Sequence, residues 1–261
     1  GVFEGGEISM YYDPMIAKLC TWAPTREKAI EQMREALDGF EVEGIGHNLP
    51  FLSAVMDHPR FIKGDITTAF IEEEYTDGFV GVELAEEELM RIAASCAAMN
   101  RVAEIRRTKI SGRMDNHERR VGDDWIVTLQ NKKYELKIVA DHLGSTVQFK
   151  DGAKIRVEGR WTPGDQLAKM LVDEKRLTMK VGKITGGFHI RNRGADLKVL
   201  VRSKIQSELA HHMIEKTPPD TSKILMCPMP GLLVKIDVQV GEEVQEGLSL
   251  IHISEPTRRY R

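Results

Sequence analysis

Cysteine is scarce in this sequence, and its scarcity limits the sites that the chain can form. Three cysteines, Cys20, Cys96 and Cys227, lie far apart among 261 residues, and none belongs to a CxxC pair. A disulfide framework needs an even set of paired cysteines, and a zinc knuckle needs closely spaced ligands. We therefore expect neither of them, and we predict no metal site.

An excess of charge of one sign and a long apolar run are lacking too. The net charge is −3, which gives no global field to attract nucleic acid or an anionic membrane. No apolar run approaches the roughly 20 residues that span a bilayer, and residues 1–10 lack the basic and then apolar layout of a secretory signal. We therefore expect no nucleic-acid or membrane partner and a cytoplasmic location, or the mitochondrial matrix if the protein is eukaryotic.

The first stretch of the chain, to about residue 80, mixes helix and strand patterns. Residues 7–12 alternate as a short strand, Thr25 is placed as the N-cap of a helix, and a second helix is predicted from Asn48 to just before Pro59. These elements are too few to bury a core of their own. We expect residues 1–80 to be the end of a larger domain and to be loosely held.

A single long helix is predicted next. Apolar residues recur at helical spacing in LAEEELMRIAASCAAMNRVAEI (84–105). The middle of this segment, IAASCAAM (92–99), has small residues on nearly every face. This composition predicts a helix that other elements surround closely on all sides.

After Asp123 the hydrophobic period changes from 3.6 to 2, the period of β-strands. Turn signals such as Asp151-Gly152 and Gly186-Gly187 separate the strand-like runs. The eight runs are WIVTLQ, KYELKIVA, TVQFK, AKIRVEGRW, LAKMLV, LTMKVGKI, GFHIRN and LKVLVR. Eight short antiparallel strands after one small-faced helix predict a barrel closed around that helix, within an α+β chain. An open sandwich with the helix packed outside is the alternative.

The last stretch follows the linker TPPDTSK (217–223), whose prolines mark a domain boundary. Beyond residue 224, PMPG (228–231) precedes an alternating strand and two turns that combine glycine with an acidic residue. This pattern indicates the start of a small all-β module. The residues that follow are too few to complete its core.

Several of these motifs, taken in order, resemble one family. CPMPGLLVKIDVQVGEEVQEG (227–247) is similar to the first half of a biotinyl carrier domain, and YYDPMIAKL (11–19), GIGHNLPFL (44–52) and FIKGDITTAFIEEEY (61–75) resemble the end of an ATP-grasp biotin carboxylase domain. The helix and eight strands between them resemble a BT domain. The chain thus resembles the α subunit of a biotin-dependent acyl-CoA carboxylase, most of all that of propionyl-CoA carboxylase.

The resemblance implies a domain order and an activity. The order is the C-terminal part of the biotin carboxylase domain (1–80), the BT domain (82–216), the linker and an incomplete carrier (224–250). The intact subunit would use ATP, Mg²⁺ and bicarbonate to carboxylate its biotin, and a carboxyltransferase β subunit would then convert propionyl-CoA to methylmalonyl-CoA. The family's ATP site precedes the stretch that residue 1 matches. We therefore assign no catalytic residue to this chain and expect it to be inactive by itself.

The family's carrier pattern leads to a lysine that forms the amide to biotin. Alignment through Glu246-Gly247, Leu250 and Ile253 places Thr257 at that position, and a hydroxyl is no substrate for biotin protein ligase. We expect that ligase to act only on a complete carrier. Residues 251–261 are interpreted as a foreign tail.

The basic segment 101–120 is the candidate partner site. It has seven Lys or Arg against three acids, no clean helical period, and no aromatic residue for base stacking. Its position between the central helix and the first strand matches the family's hook loop, which contacts the β subunit. A solvated loop is the alternative. The predicted partner-binding residues are Ile105, Arg106, Arg107, Lys109, Ile110, Arg113 and Met114.

Two other interpretations of function stay open at this point. The α subunits of methylcrotonyl-CoA carboxylase and of acetyl/propionyl-CoA carboxylase are the alternative within the family, because the acyl chain is selected on the β subunit. A freestanding, non-catalytic β-barrel binding module is the alternative of another class. The half-carrier pattern disfavours the binding module, which has no use for it.

Overall fold

The computed structural model describes residues 3–8, 15–111, 120–213, 232–238 and 251–254. The chain divides into two compact units, residues 1–213 and residues 214–261, which are described separately. Most of the strand predicted over residues 7–12 lies outside the described ranges, and residues 7 and 8 are not in a strand.

Four short helices precede the barrel. They are α1 Arg26–Gly39, α2 Leu49–Asp57, α3 Pro59–Lys63 and α4 Phe70–Glu74. Thr25 caps α1 as predicted, because its side chain accepts a hydrogen bond from the backbone N–H of Lys28 at 3.4 Å. Asn48 is the N-cap of α2, which ends before Pro59, so the second helix is confirmed as well. Helices this short depend on packing against other elements rather than on their own hydrogen bonds.

Eight antiparallel strands form a closed barrel in which neighbours along the chain are neighbours in the sheet. The strands are β1 Asp124–Leu129, β2 Lys132–Ala140, β3 Gly144–Phe149, β4 Lys154–Glu158, β5 Leu167–Val172, β6 Lys175–Ile184, β7 Gly187–Asn192 and β8 Ala195–Arg202. The barrel closes where β1 pairs with β8, with Val127 opposite Val201. Closure leaves the sheet without a free edge. The predicted barrel is confirmed, and the open sandwich is wrong.

Helix α5, Glu86–Thr108, runs through the interior of the barrel. Ala93, Ala94, Cys96 and Ala97 have no exposed surface, although they point to different faces of the helix. Small side chains on every face let the inward residues of strands all around the barrel approach the helix closely. The single core therefore lies between α5 and the sheet, as the small residues predicted.

The chain leaves the barrel through a short helix, α6 Lys204–Leu209, which is extended by a 3₁₀ turn over Ala210–His212. Ser203 and Gln206 form a reciprocal capping box that starts α6 where β8 ends. In the 3₁₀ turn, His211 Nε2 lies 3.3 Å from Lys133 Nζ of β2. The described part of the chain holds no group of three metal-ligating side chains.

The second unit has two described strands. β9 Leu232–Ile236 pairs in antiparallel fashion with β10 Ile251–Ser254. Most of the incomplete carrier predicted over residues 224–250, and the predicted tail after Ser254, lie outside the described residues. The described residues of this unit show a two-stranded sheet and no biotinyl module.

A hairpin turn of the barrel joins the sheet to the helices before it. The turn between β7 and β8 contains Arg193 and Gly194, whose φ angles of 51° and 80° lie in the left-handed region. The backbone N–H of Arg193 donates to Asp38 Oδ1 of α1 at 2.9 Å. Its guanidinium lies 3.4 Å from Asp38 Oδ2 and 3.4 Å from Asp57 Oδ1 of α2. One turn residue thus contacts two helices.

Two further contacts hold the helices on the barrel. Lys180 Nζ of β6 donates to the carbonyl oxygen of Leu37 at 3.0 Å. A Cβ on Gly194 would lie 2.6 Å from the carbonyl oxygen of Pro50, so the turn and α2 approach more closely than any other residue would allow. The helices α1 and α2 are fixed to the barrel, and the expectation that residues 1–80 are loosely held is wrong for this part.

The Asp38 carboxyl makes this joint sensitive to pH. Its side chain is 7% exposed, and desolvation raises its pKa from an ordinary 3.8 to about 6. The hydrogen bond and charge of Arg193, and the charge of Lys180, act in the opposite direction, whereas Asp57 adds to the rise. Between pH 3.8 and about pH 6, the Asp38 carboxyl keeps its proton in the folded chain and releases it in the unfolded chain. The contribution of Asp38 to stability therefore falls as the pH rises through this window.

Asp38→Asn should remove this titration. As the pH rises from about 4 to about 6, the free energy of unfolding of the variant should increase relative to that of the wild type. The increase should reach up to about 3 kcal/mol, because each unit of pKa difference corresponds to about 1.36 kcal/mol. The difference should then level off, because Asp38 is ionised in both states. Urea unfolding at closely spaced pH values measures it, with the exposed Asp77→Asn as control. A difference for Asp38→Asn that stays flat across the window contradicts the assignment.

Gly194→Ala should weaken the joint more than its backbone angle alone explains. A left-handed φ costs an ordinary residue roughly 1–2 kcal/mol, and the added Cβ would also meet Pro50. Gly152→Ala is the matched control, because Gly152 has a φ of 95° and open space around the position of a Cβ. We expect a larger loss of thermal stability and earlier tryptic cleavage in α1, which contains Arg26, Lys28 and Arg34, for Gly194→Ala. Equal losses in the two variants would show that the contact with Pro50 is unimportant.

Candidate docking site at the barrel mouth

The last turns of α5 leave the barrel and enter solvent. Met99 is buried, whereas Val102 is 46% exposed and Ile110, just beyond the helix, is 64% exposed. The side chain of Glu104 stays buried and accepts a hydrogen bond from Arg107, three residues later. Pairs at this spacing stabilise an exposed helix end. The helix therefore continues outside the barrel in a fixed direction.

The residues predicted to bind a partner fall into three groups. Ile105, Arg106 and Arg107 lie within α5, which continues to Thr108, so this part of the basic segment is helix and not loop. Its Arg, Ala and Glu residues favour helix even though no apolar period marks one. Lys109 caps the helix and Ile110 follows it. The third group, Arg113 and Met114, lies outside the described residues, and their role stays a prediction.

A cavity of about 1170 Å³ opens beside the end of α5, and we call it the mouth. Arg106, Arg107 and Ile110 line it, whereas Ile105 is half-buried and does not. Alternate turns of an antiparallel barrel lie at the same end, so several turns meet there. Besides α5, the wall is made by Glu43, by Ile110, and by residues of five further stretches. These are 120–122 and 125, 161, 163–166, 181–188, and parts of 201–213.

The aromatic floor of the mouth is held rigidly. Trp161 Nε1 donates to the carbonyl oxygen of Asp165 at 3.1 Å, and the carboxylate of Asp165 accepts from the backbone N–H of Thr162 at 2.8 Å. The ring of Phe188 meets that of Trp161 edge to face, with centroids 5.7 Å apart. Trp125 and Trp161 both lie buried at this rim of the barrel.

Other residues of the mouth were not predicted from the sequence. Leu209 and Met213, from α6 and the residue after its 3₁₀ turn, are 60% and 76% exposed. Lys183 comes from the β6–β7 hairpin, and Arg202 from the end of β8. These residues lie beside α5 only because the barrel is closed.

Positive charge exceeds negative charge around the mouth. Arg106, Arg120, Lys183 and Arg202 line it and make no ion pair with any residue that the structure describes. The acids that line the mouth already have partners. Glu43 accepts from Gln166 at 3.2 Å, Glu104 accepts from Arg107, and Asp165 accepts from Thr162. The excess of positive charge, five cations against three acids, favours a partner of the opposite sign.

The mouth has the features of a binding surface, because exposed apolar side chains and an excess of positive charge line it. Cys96, deep inside the barrel, is no nucleophile, because burial raises the pKa of its thiol. The predicted turn between β6 and β7 consists of Thr185 and Gly186, and Gly187 begins β7, where a Cβ would lie 1.9 Å from the carbonyl oxygen of Val199. Thr257, the residue aligned with the biotin position, lies outside the described residues. None of the helices within the described ranges is long and apolar enough to cross a bilayer.

Both parts of the first unit match known families. Residues 1–73 match the biotin carboxylase C-terminal domain, and residues 92–216 match the propionyl-coenzyme A carboxylase BT domain. The second match contains the barrel, most of α5, and all seven residues predicted to bind a partner.

Similar proteins match nearly the whole chain. The propionyl-CoA carboxylase alpha chain of Ruegeria pomeroyi is 71% identical over 253 residues, which is 97% of this chain and 37% of the relative. The mitochondrial propionyl-CoA carboxylase alpha chain of Mus musculus is 34% identical over 95% of this chain and 35% of its own length. A methylcrotonoyl-CoA carboxylase subunit alpha from Dictyostelium discoideum is 24% identical over 96% of this chain and 37% of its own length.

The chain spans little more than a third of the length of these relatives. The two family matches follow each other in the predicted order, with helices α1–α4 in the first and the barrel in the second. The identity to propionyl-CoA carboxylase chains also exceeds that to the methylcrotonoyl-CoA carboxylase subunit. The chain belongs to the family of propionyl-CoA carboxylase alpha chains, of which it contains the biotin carboxylase C-terminal domain and the BT domain.

Proposed function

We propose that this chain serves, within the α subunit of a propionyl-CoA carboxylase, as the part that docks the carboxyltransferase β subunit. The observation that carries the proposal is the exposed end of α5. The barrel holds the buried part of the helix, and Arg106 in its last turn and Ile110 just beyond it are exposed beside an open mouth. A side chain held by a rigid element can bind a partner with little loss of conformational entropy.

The activity of the intact subunit is the carboxylation of its own biotin with ATP, Mg²⁺ and bicarbonate. The β subunit would then transfer the carboxyl group to propionyl-CoA and form methylmalonyl-CoA. We assign no chemical step to the described residues of this chain. Their part is to hold the two enzymes of the reaction together.

Apolar and charged residues at the end of α5 should contribute differently to docking. Ile110 is an exposed apolar side chain, and its burial on binding would favour the complex by removing apolar surface from water. Arg106, Arg107 and Lys109 form a positive group that would orient the partner as it approaches. Met114 is proposed to bury apolar surface on binding, as Ile110 does, and Arg113 to orient the partner, as the other cations do.

Two alternatives make different predictions. A non-catalytic binding module would bind no carboxyltransferase, although it would have the same barrel. A methylcrotonyl-CoA carboxylase chain would prefer the β subunit of that enzyme. The identity to propionyl-CoA carboxylase chains supports the proposed partner over both.

Ile110→Asp should weaken binding of the whole chain to the β subunit of the Ruegeria pomeroyi enzyme. We expect the off-rate to rise about tenfold or more, because a charge replaces a buried apolar contact. Arg106→Glu should instead slow association, and the effect should shrink as salt is added. Biosensor kinetics without biotin or ATP measure both rates.

Val80→Asp is the control for this experiment. Val80 is 98% exposed and precedes α5, so its variant should bind like the wild type. Failure of the folded wild-type chain to bind any carboxyltransferase β subunit would overturn the proposal and favour the binding module. Tighter binding to a methylcrotonyl-CoA carboxylase β subunit would overturn the choice of enzyme.

A further inference from the structure

The mouth extends the exposed surface well beyond α5. Leu209 and Met213 form an apolar rim on the side of α6, and Lys183 and Arg202 add charge from β6–β7 and β8. These residues come from elements that are distant from α5 in the sequence. They form one surface with Ile110 only because the barrel is closed.

The size and shape of the mouth favour a peptide segment over a small molecule. Pockets for small molecules have volumes of roughly 300–1,000 Å³ and bury most of the ligand. The mouth, at about 1170 Å³, is larger and is open to solvent, with an exposed apolar rim. Several side chains of one chain segment could enter it together.

The charge of the lining defines the chemistry of that segment. Five cations line the mouth, Arg106, Arg107, Arg120, Lys183 and Arg202, against three acids that already accept hydrogen bonds. Two copies of this chain that met mouth to mouth would bring cations together, because such an interface is symmetric. An occupant with acidic residues has no such conflict.

We propose that the mouth receives an apolar segment of the β subunit that is flanked by acidic side chains. The apolar residues would cover Leu209 and Met213, and the acids would pair with Lys183 and Arg202. This inference rests on the proposed function, since it names a second part of the same docking surface. The β subunit then contacts α6 and the β6–β7 hairpin as well as the end of α5.

Variants at the mouth test this surface independently of α5. Leu209→Asp and Met213→Asp should each raise the Kd of the whole chain for the β subunit at least tenfold. Lys183→Glu combined with Arg202→Glu should slow association, and the loss should diminish at high salt. Val80→Asp and Lys154→Glu are the controls, because Lys154 follows a turn at the opposite end of the barrel. Circular dichroism and thermal melting establish that each variant is folded.

Oxidative footprinting of the wild-type chain tests what occupies the mouth. Met213 should be oxidised by hydroxyl radicals in the free chain, since it is 76% exposed, and protected in the complex. Met15, 53% exposed and not part of the mouth, should react in both. Protection of Met213 already in the free chain would overturn the inference, because another segment of this chain or a second copy would then fill the mouth.

The outcomes separate the two proposals. If Ile110→Asp weakens binding and all mouth variants bind like the wild type, the inference falls and the proposed function stands. If the folded wild type does not bind the β subunit, both fall. Weaker binding by both sets of variants, with Met213 protected only in the complex, supports both.

Discussion

The contact between α5 and the inner face of the barrel is the constraint on which the rest of the first unit depends. A barrel of eight strands has room for side chains or for one helix, but a helix of ordinary width would push the strands apart. The fully buried residues Ala93, Ala94 and Ala97 make this helix narrow enough to fit. Since protein interiors are close-packed, larger side chains there would have to displace strands.

The same contact positions the proposed docking surface. Because α5 is held along the barrel axis, its C-terminal end emerges at one mouth, and its N-terminal end lies at the other. At the N-terminal end, Glu86 accepts hydrogen bonds from Tyr134 at 2.8 Å and from Lys132. The helices α1 and α2 contact the β7–β8 turn, which also belongs to that end. The contacts of α1 and α2 with the β7–β8 turn and the proposed docking surface thus lie at opposite ends of the barrel.

The sequence predicted the elements well, because each strand and helix has its own local period. All eight strand runs and the small-faced helix are confirmed. The joint between Asp38 and Arg193 was not predicted, because these residues are 155 apart in sequence and carry no local signal. Similarly, Leu209 and Lys183 belong to segments whose patterns say nothing about their distance from α5. Local patterns define elements, whereas closure of the barrel decides which of their ends meet.

Hydrogen exchange of the whole chain, with and without the β subunit, tests the central claim most directly. Exchange is to be followed by mass spectrometry at both ends of the barrel. Binding should protect the backbone amides that border the mouth, in residues 100–111, 183–187 and 203–213. The turns at 130–131, 150–152 and 173–174, at the opposite end, should exchange at the same rate in both states. Protection of those opposite turns, with the mouth unchanged, would contradict the account.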